Sequence, residues 1–296
     1  MSFTKISTIS VSRAEMKITT LIFITFSLVT AHITKDGFKI LPTRKAAHRG
    51  LNQFVSSEDA RIVGGNEAVP NSLPYQAALR IFYDEWTGLC GGSLITKRYV
   101  LTAAHCLDDR QLLLEVVLGA HKYREIELTQ QRINTSTFKF HEQFNNDSLD
   151  NDLGVVYLPT PAKINQYVQL IALPSRADVS NNLVGREAIT SGWGDDNDPA
   201  TDGKEVLRYI NVRIIKNEVC NETFQDLPDS VICTAGTGKK GVCFGDSGGP
   251  LVANRKLVGV TSFKGYNDCD AGDPSGFSRV TSFLDWIEAN TDAVIA

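Results

Sequence analysis

Past Arg61 the chain is built from short apolar or alternating runs separated by clusters of Gly, Pro, Asn and Asp. They are GGSLITKRYVLTAAHC (91–106), LLLEVVLGA (112–120), DLGVVYL (152–158), REAITSGWG (186–194), EVLRYINVRII (205–215) and KLVGVTSF (256–263). Runs of four to eight residues with a period near two place alternate side chains on one face of a pleated sheet, and several in succession predict an all-β sandwich or barrel. One segment has helical spacing instead. In Ser282 to Ala289 a capping Ser with Asp285 three residues on precedes Phe283, Trp286 and Ile287, so a C-terminal helix docked by those side chains is expected. The stretches Ser175 to Asn182 and Asp195 to Lys204 read as loops. The first divides the region after Arg61 into two β units of similar size, 62–176 and 177–296.

Upstream of Arg61 the pattern is different. The run Ile18 to Ala31 follows Lys17 and ends in Val29-Thr30-Ala31, which predicts a signal peptide over 1–31, with Met1 or Met16 as the start. The run is shorter than the roughly 18 residues a membrane span needs, so no membrane attachment is expected. Residues 32–61 lack cysteine and any sustained apolar period, are rich in Lys, Arg, Ser and His, and end in Arg61 before Ile62-Val63-Gly64-Gly65. They read as a detachable pro-segment.

Secretion to the extracellular space gives the six cysteines a meaning, because an even set in an oxidising compartment forms disulfides. No CxxC pair or His/Cys cluster has zinc-like spacing. Sequons at Asn134, Asn146 and Asn221 suit a secreted glycoprotein. The chain carries a net −4, but its first 61 residues carry +5, so the part from Ile62 onward carries −9. An acidic mature region argues against nucleic acid as a partner, since phosphate binding needs a basic footprint.

The most specific string is Gly245-Asp246-Ser247-Gly248-Gly249-Pro250. A serine between glycines exposes its hydroxyl on a tight turn, and small neighbours let backbone N–H groups approach a substrate oxygen. The string also fits the nucleophile motif of α/β hydrolases, whose base follows the serine in the chain. That reading fails, because all five histidines, at 32, 48, 105, 121 and 141, precede Ser247. His32 and His48 lie in the removable leader. Of the rest, His105 ends an alternating strand among small residues beside Cys106, whereas His121 and His141 lie among charged residues, where a solvated imidazole is expected. A serine hydroxyl needs a fixed base, and the base needs a buried carboxylate to hold its tautomer. Asp152 opens the apolar run LGVVYL and is the candidate acid; Asp150 lies outside the run and is expected to be solvated.

TAAHC, NDLGVVYL and GDSGGP, in the order His, Asp, Ser, resemble the chymotrypsin-like serine peptidases. The resemblance runs from Ile62 to about Asn290, includes IVGG and ITSGWG, and is closest in character to arthropod chymotrypsin-like and collagenolytic enzymes. It implies two packed six-stranded antiparallel β-barrels with a C-terminal α-helix, together one peptidase domain over 62–296. It implies a catalytic triad of His105, Asp152 and Ser247, with Gly245 and Ser247 N–H groups as the oxyanion hole. It further implies the disulfides Cys90–Cys106, Cys220–Cys233 and Cys243–Cys269. Arg61–Ile62 becomes the bond cut on activation, after which the Ile62 α-amino group pairs with Asp246.

The family's primary-pocket floor falls at Gly241, followed by Val242, with Ser262 and Ser275 at further wall positions. Without an acid at Gly241, preference for Arg or Lys loses its counter-charge, and a chymotrypsin-like pocket for large apolar side chains is expected. Lys264 stands where many relatives have glycine, unless Gly265 takes that place. It is expected to snorkel outward to water; turned inward, it would narrow the pocket or favour an acidic side chain. The family's calcium loop is incomplete, with Ala120 and Gln130 in place of acids and Glu127 alone remaining, so no metal and no cofactor are expected. Expected partners are protein or peptide substrates, an activating trypsin-like protease and protein protease inhibitors, with the enzyme a monomer. The alternative is a non-catalytic binding protein on the same fold.

Overall fold

A computed structural model describes residues 32–34, 37–39, 65–108, 110–195, 206–265 and 267–296, the first two segments by their backbone alone. In chain order the first strands are β1 (His32–Thr34), β2 (Gly37–Lys39), β3 (Asn66–Glu67), β4 (Gln76–Phe82) and β5 (Thr87–Leu94). They are followed by β6 (Tyr99–Thr102), β7 (Leu113–Leu118), β8 (Gln131–Thr135), β9 (Phe138–Phe140) and β10 (Gly154–Tyr157). The second half supplies β11 (Glu187–Gly192), β12 (Arg208–Ile215), β13 (Val231–Thr234), β14 (Pro250–Ala253), β15 (Lys256–Lys264) and β16 (Ser275–Arg279).

Strands of the first half form one curled sheet in the order β8-β7-β4-β5-β6-β10-β9. Its two edges, β8 and β9, are separated in the chain only by Ser136 and Thr137, so the curl brings the edges together through a bend rather than a ladder. The second half runs β11-β14-β15-β16-β13-β12, and β12 pairs back onto β11 to close a six-stranded barrel. β3 crosses over from the first half to pair with β12. The fold is therefore all-β with two β units, as the alternating runs predict.

Burial follows the sequence period. Along β12, Ile210, Val212 and Ile214 point into the second barrel while Asn211 and Arg213 face water. β4 departs from simple alternation because both faces are covered: Leu79 and Ile81 enter the first core, and Ala78 packs with Leu89, Val117 and Trp193. The first core also takes Leu257 and Val260 from β15 together with Phe283, Leu284 and Ile287. One apolar cluster thus spans both halves and holds them against each other.

The helices are α1 (Asn217–Cys220), one turn, and α2 (Leu284–Asn290). Ser282 does not cap α2 as its spacing suggests. It ends a 3₁₀ turn over Val280–Ser282, and Phe283 holds the cap position with no side-chain bond. Asp285 is instead paired with Arg176, which also reaches Glu288 at 2.6 Å. Arg176 belongs to a second departure. The segment expected as loop contains a 3₁₀ turn, Arg176–Ser180, at whose start the Ser175 hydroxyl and backbone N–H both donate to the Asp178 carboxylate and the Asp178 N–H donates back to the Ser175 carbonyl.

The signal segment and the Arg61–Ile62 bond lie outside the described residues. Within the expected pro-segment, β1 and β2 pair as a short antiparallel hairpin, and β2 runs parallel to β5 at Gly88 and Leu89.

Candidate active site

β6 ends at Thr102, and the chain turns through a single 3₁₀ turn, Ala104–Cys106, that carries His105. Cys106 is bonded to Cys90 of β5, with Cα atoms 6.2 Å apart, so the turn is pinned to the neighbouring strand. Asp152 lies two residues before β10, which pairs with β6, and so reaches the same end of the sheet.

Asp152 is 1% exposed and is surrounded by donors. Its Oδ1 accepts the His105 backbone N–H at 2.9 Å, and its Oδ2 lies 2.7 Å from His105 Nδ1. Ser262 donates its hydroxyl to the same Oδ2 at 2.5 Å, and Ser278 donates to the Asp152 carbonyl at 2.6 Å. A carboxylate can only accept, so the hydrogen of the neutral imidazole sits on Nδ1. Nε2 is left with its lone pair, and it is buried without a hydrogen-bond partner. Asp150, half-buried, accepts from Ser148 instead.

Neither other histidine is solvated as its charged surroundings suggest. His121 is 7% exposed, with Nε2 2.9 Å from Glu67 and its carbonyl accepting the Trp193 indole N–H at 3.0 Å. Strand β3 brings Glu67 onto it and removes the water that charged neighbours would have kept. His141 is half-buried between the rings of Phe283 and Trp286.

Ser247 is buried on a turn where Gly245 has φ +98° and Gly248 φ +75°, angles that side chains rarely tolerate. A β-carbon on Gly248 would stand 2.1 Å from Thr102 Oγ1, so the absence of one lets the turn close onto β6. The Gly91 N–H donates to the Ser247 carbonyl at 2.6 Å, and Thr102 donates to the Gly91 carbonyl at 2.8 Å. These contacts fix the serine turn against Thr102 and Ala103, the residues that lead into His105.

Asp246 is 2% exposed, and its carboxylate accepts the N–H groups of Gly194 at 2.8 Å and Cys243 at 2.9 Å. A β-carbon on Gly194 would lie 2.4 Å from that carboxyl group, which explains the second glycine of the SGWG run. Ile62 lies outside the described residues.

The residues assigned to the pocket also come together. Ser275 Oγ accepts the Val242 N–H at 3.3 Å and is 3.3 Å from where a Gly241 β-carbon would be. Lys264 stands opposite Ser275 in the β15–β16 register. Its expected outward course is corrected: the residue is 5% exposed, and Nζ donates to the carbonyls of Gly265 at 3.0 Å and Asn267 at 2.7 Å. The ammonium lies 5.1 Å from the centre of the Phe244 ring, and its burial lowers the lysine pKa. Two local carbonyls and an aromatic face replace the water that snorkelling would have supplied. Ser262 contributes to this region through its backbone only, since its hydroxyl is turned to Asp152.

The remaining cysteines form Cys220–Cys233 and Cys243–Cys269, and the described residues hold no free thiol. In the loop after Gly119, Glu127 Oε2 accepts the N–H groups of His121 and Lys122 and the Gln130 amide, so protein donors surround the acid. Sequence reasoning missed Ser278, Phe244 and Asn267. Only the run SGFSR, with a serine one strand period before Val280, hints at the first, and nothing local marks the other two.

Residues 62–287 match the family model described as Trypsin. The chain is 46% identical over 230 residues to brachyurin of Leptuca pugilator, covering 78% of this chain and 98% of that protein. It is 38% identical over 257 residues to a chymotrypsin of Phaedon cochleariae, covering 87% and 92%. The solved structure of HL collagenase is similar at a TM-score of 0.70 and 36% identity, over 78% of this chain and 99% of that one.

Proposed function

The chain belongs to the trypsin family of serine endopeptidases, and on that footing we propose that it is made as a secreted zymogen whose nucleophile is Ser247. His105 is the base and Asp152 the orienting acid. The observation that carries the assignment is the buried His105 Nε2, unpartnered, on a ring held through Nδ1 by Asp152 at 2.7 Å.

The chemistry follows from that tautomer. Nε2 takes the Ser247 hydroxyl proton as Oγ bonds to the substrate carbonyl carbon, and the developing imidazolium is stabilised by the Asp152 carboxylate. The carbonyl oxygen becomes an oxyanion facing the Gly245 and Ser247 N–H groups. Collapse breaks the C–N bond, and His105 returns its proton to the departing amine. Water then enters by the same route: His105 deprotonates it as its oxygen bonds to the acyl carbon, the bond from that carbon to Oγ breaks to release the acid, and the proton returns to Ser247.

Cleavage of Arg61–Ile62 by a trypsin-like protease is the proposed trigger. It would create an α-amino group to pair with Asp246, whose carboxylate already draws Gly194 and Cys243 toward the nucleophile turn. The leader run and the three disulfides support secretion. The division into β units at 62–176 and 177–296 is kept as part of this reading, as are a monomeric enzyme and sensitivity to protein protease inhibitors. With Gly241 and Ser275 at the pocket floor, no acid awaits a basic substrate side chain, so Arg and Lys are not the preferred P1 residues. The large apolar preference expected from sequence came from the lack of an acid at Gly241 together with an outward Lys264; the inward course of Lys264 favours the acidic alternative instead.

Labelling the full chain with a serine-directed phosphonate, before and after trypsin treatment, tests the assignment. Label is expected on Ser247 only after cleavage and not in Ser247→Ala. A folded, correctly cleaved protein that takes no label would overturn it.

A further inference from the structure

We infer that Lys264 makes the primary pocket a receptor for an acidic substrate side chain, so that this peptidase cuts after Glu or Asp. The inference rests on the peptidase reading above and deepens it.

Lys264 faces the pocket by register and by contact. It pairs across β15–β16 with Ser275, whose hydroxyl touches the Val242 N–H and borders Gly241. Its ammonium lies over the ring of Phe244, on the segment that leads from Val242 to Ser247. The side chain therefore links the two walls between which a P1 side chain must enter.

The ammonium is hydrogen-bonded but not neutralised. Of its three N–H donors, two are taken by the carbonyls of Gly265 and Asn267. Among the described residues no carboxylate lies within ion-pair distance of it. Asp268 and Asp273 act on it only across a distance, and Asp273 Oδ2 accepts from the Asn267 amide. Carbonyl dipoles and an aromatic face stabilise a cation partially, but a buried charge is best compensated by an opposite charge. A substrate carboxylate supplies it and meets the third N–H. An apolar side chain would displace remaining water from the ammonium and give nothing back, and a basic one would be repelled. The floor adds no competing charge, and the Ser275 hydroxyl, an acceptor toward Val242, keeps its own O–H to donate.

The test uses the full chain cleaved at Arg61–Ile62, with active enzyme counted by phosphonate labelling of Ser247. Peptides differing only in P1 (Glu, Asp, Phe, Leu, Ala, Lys) are compared by kcat/KM. Glu or Asp is expected to exceed Phe and Leu by about 10-fold or more. Lys264→Met, which keeps the volume and removes the charge, should lower the acidic substrates by roughly 100-fold and raise Leu. Lys264→Arg should retain the acidic preference, and with the wild-type profile it decides the matter if the Met variant does not fold. A wild-type profile led by Phe, Leu or Ala overturns the inference. So does an acidic preference that survives in Lys264→Met, or a Met variant that loses thermal stability without any change in P1 profile, which would make the lysine a structural strut. Absence of label on Ser247 would instead overturn the peptidase reading, so the two failures are distinguishable.

Discussion

At the residue scale the decisive atom is the hydrogen on His105 Nδ1. It is fixed by a carboxylate that takes three donors on its two oxygens: the His105 backbone N–H, the imidazole N–H and the Ser262 hydroxyl. Asp152→Asn replaces an obligate acceptor with a group that can present an N–H to the ring. The imidazole would then carry its hydrogen on Nε2, the atom proposed to take the serine proton. A fall in kcat of about 10⁴ is expected with KM little changed, measured on active-site-counted enzyme, with the melting temperature as a check that the fold survives. A loss below about tenfold would remove Asp152 from this role. The proposed roles of His105 and Ser247 follow in the sequence from elimination and local composition. Asp152 drew its weight from the resemblance, since an acid at a strand start is equally a turn residue. The hydroxyls that tie it down, on Ser262 and Ser278, lie 110 and 126 residues away in the chain. No local pattern encodes such a meeting. Lys264 misleads for the same reason, because its direction depends on where the Gly265 and Asn267 carbonyls point, and backbone dipoles leave no mark on a hydropathy pattern.

At the scale of elements, the alternating runs give the strands and the apolar spacing gives α2, but the start of the helix is set by packing. The 3₁₀ turn before it, closed by Phe283 N–H donating to the Val280 carbonyl at 3.0 Å, delivers Phe283 into the first core. That contact outweighs a serine cap worth about 1 kcal/mol. The docked helix sets His141 against the rings of Phe283 and Trp286, and desolvation lowers its pKa below the ordinary 6.5, partly offset by Glu142. Glu142 itself is held down to about 2, chiefly by its bond to Lys139, and remains ionised throughout the range of interest. The linkage follows: above the ordinary histidine pKa both folded and unfolded chains carry a neutral imidazole, and the packing is fully stabilising. As pH falls below it, the unfolded chain binds a proton that the folded one resists, so stability declines toward acid. His141→Phe keeps the ring packing without the titration. Between pH 7.5 and 5, wild type should lose melting temperature relative to this variant by about 1–2 °C, read by calorimetry on the full chain. An equal slope in both would place the acid sensitivity elsewhere.

For the whole molecule, the proposed zymogen turns on the segment that carries Ser247. The side chains of the proposed triad come from both halves: His105 and Asp152 from the first sheet, Ser247 from the loop before β14, with Ser262 and Ser278 crossing from the second barrel to Asp152. Such a site is sensitive to any shift in the segment Cys243 to Ser247, and Asp246 is the buried charge within that segment. The backbone N–H groups of Gly194 and Cys243 donate to its carboxylate. On the proposed activation, the α-amino group freed by cleavage after Arg61 would pair with that carboxylate and settle the turn whose N–H groups are proposed to meet the oxyanion. Arg61→Gln removes the basic side chain that a trypsin-like activator recognises. The variant should fold with the same three disulfides, remain uncut between positions 61 and 62 under trypsin treatment as read by N-terminal sequencing, and show peptide hydrolysis about 100- to 1000-fold below cleaved wild type, the usual cost of a missing oxyanion donor. Asp246→Asn should reach a similar deficit by the opposite route, being cleaved normally but lacking the charge that the new amino group would pair with. Both are read by gel mobility together with kcat/KM. Full activity in uncleaved Arg61→Gln would mean that the turn is already set in the precursor; a cleaved Asp246→Asn of normal activity would mean that the new amino group settles it through some other residue.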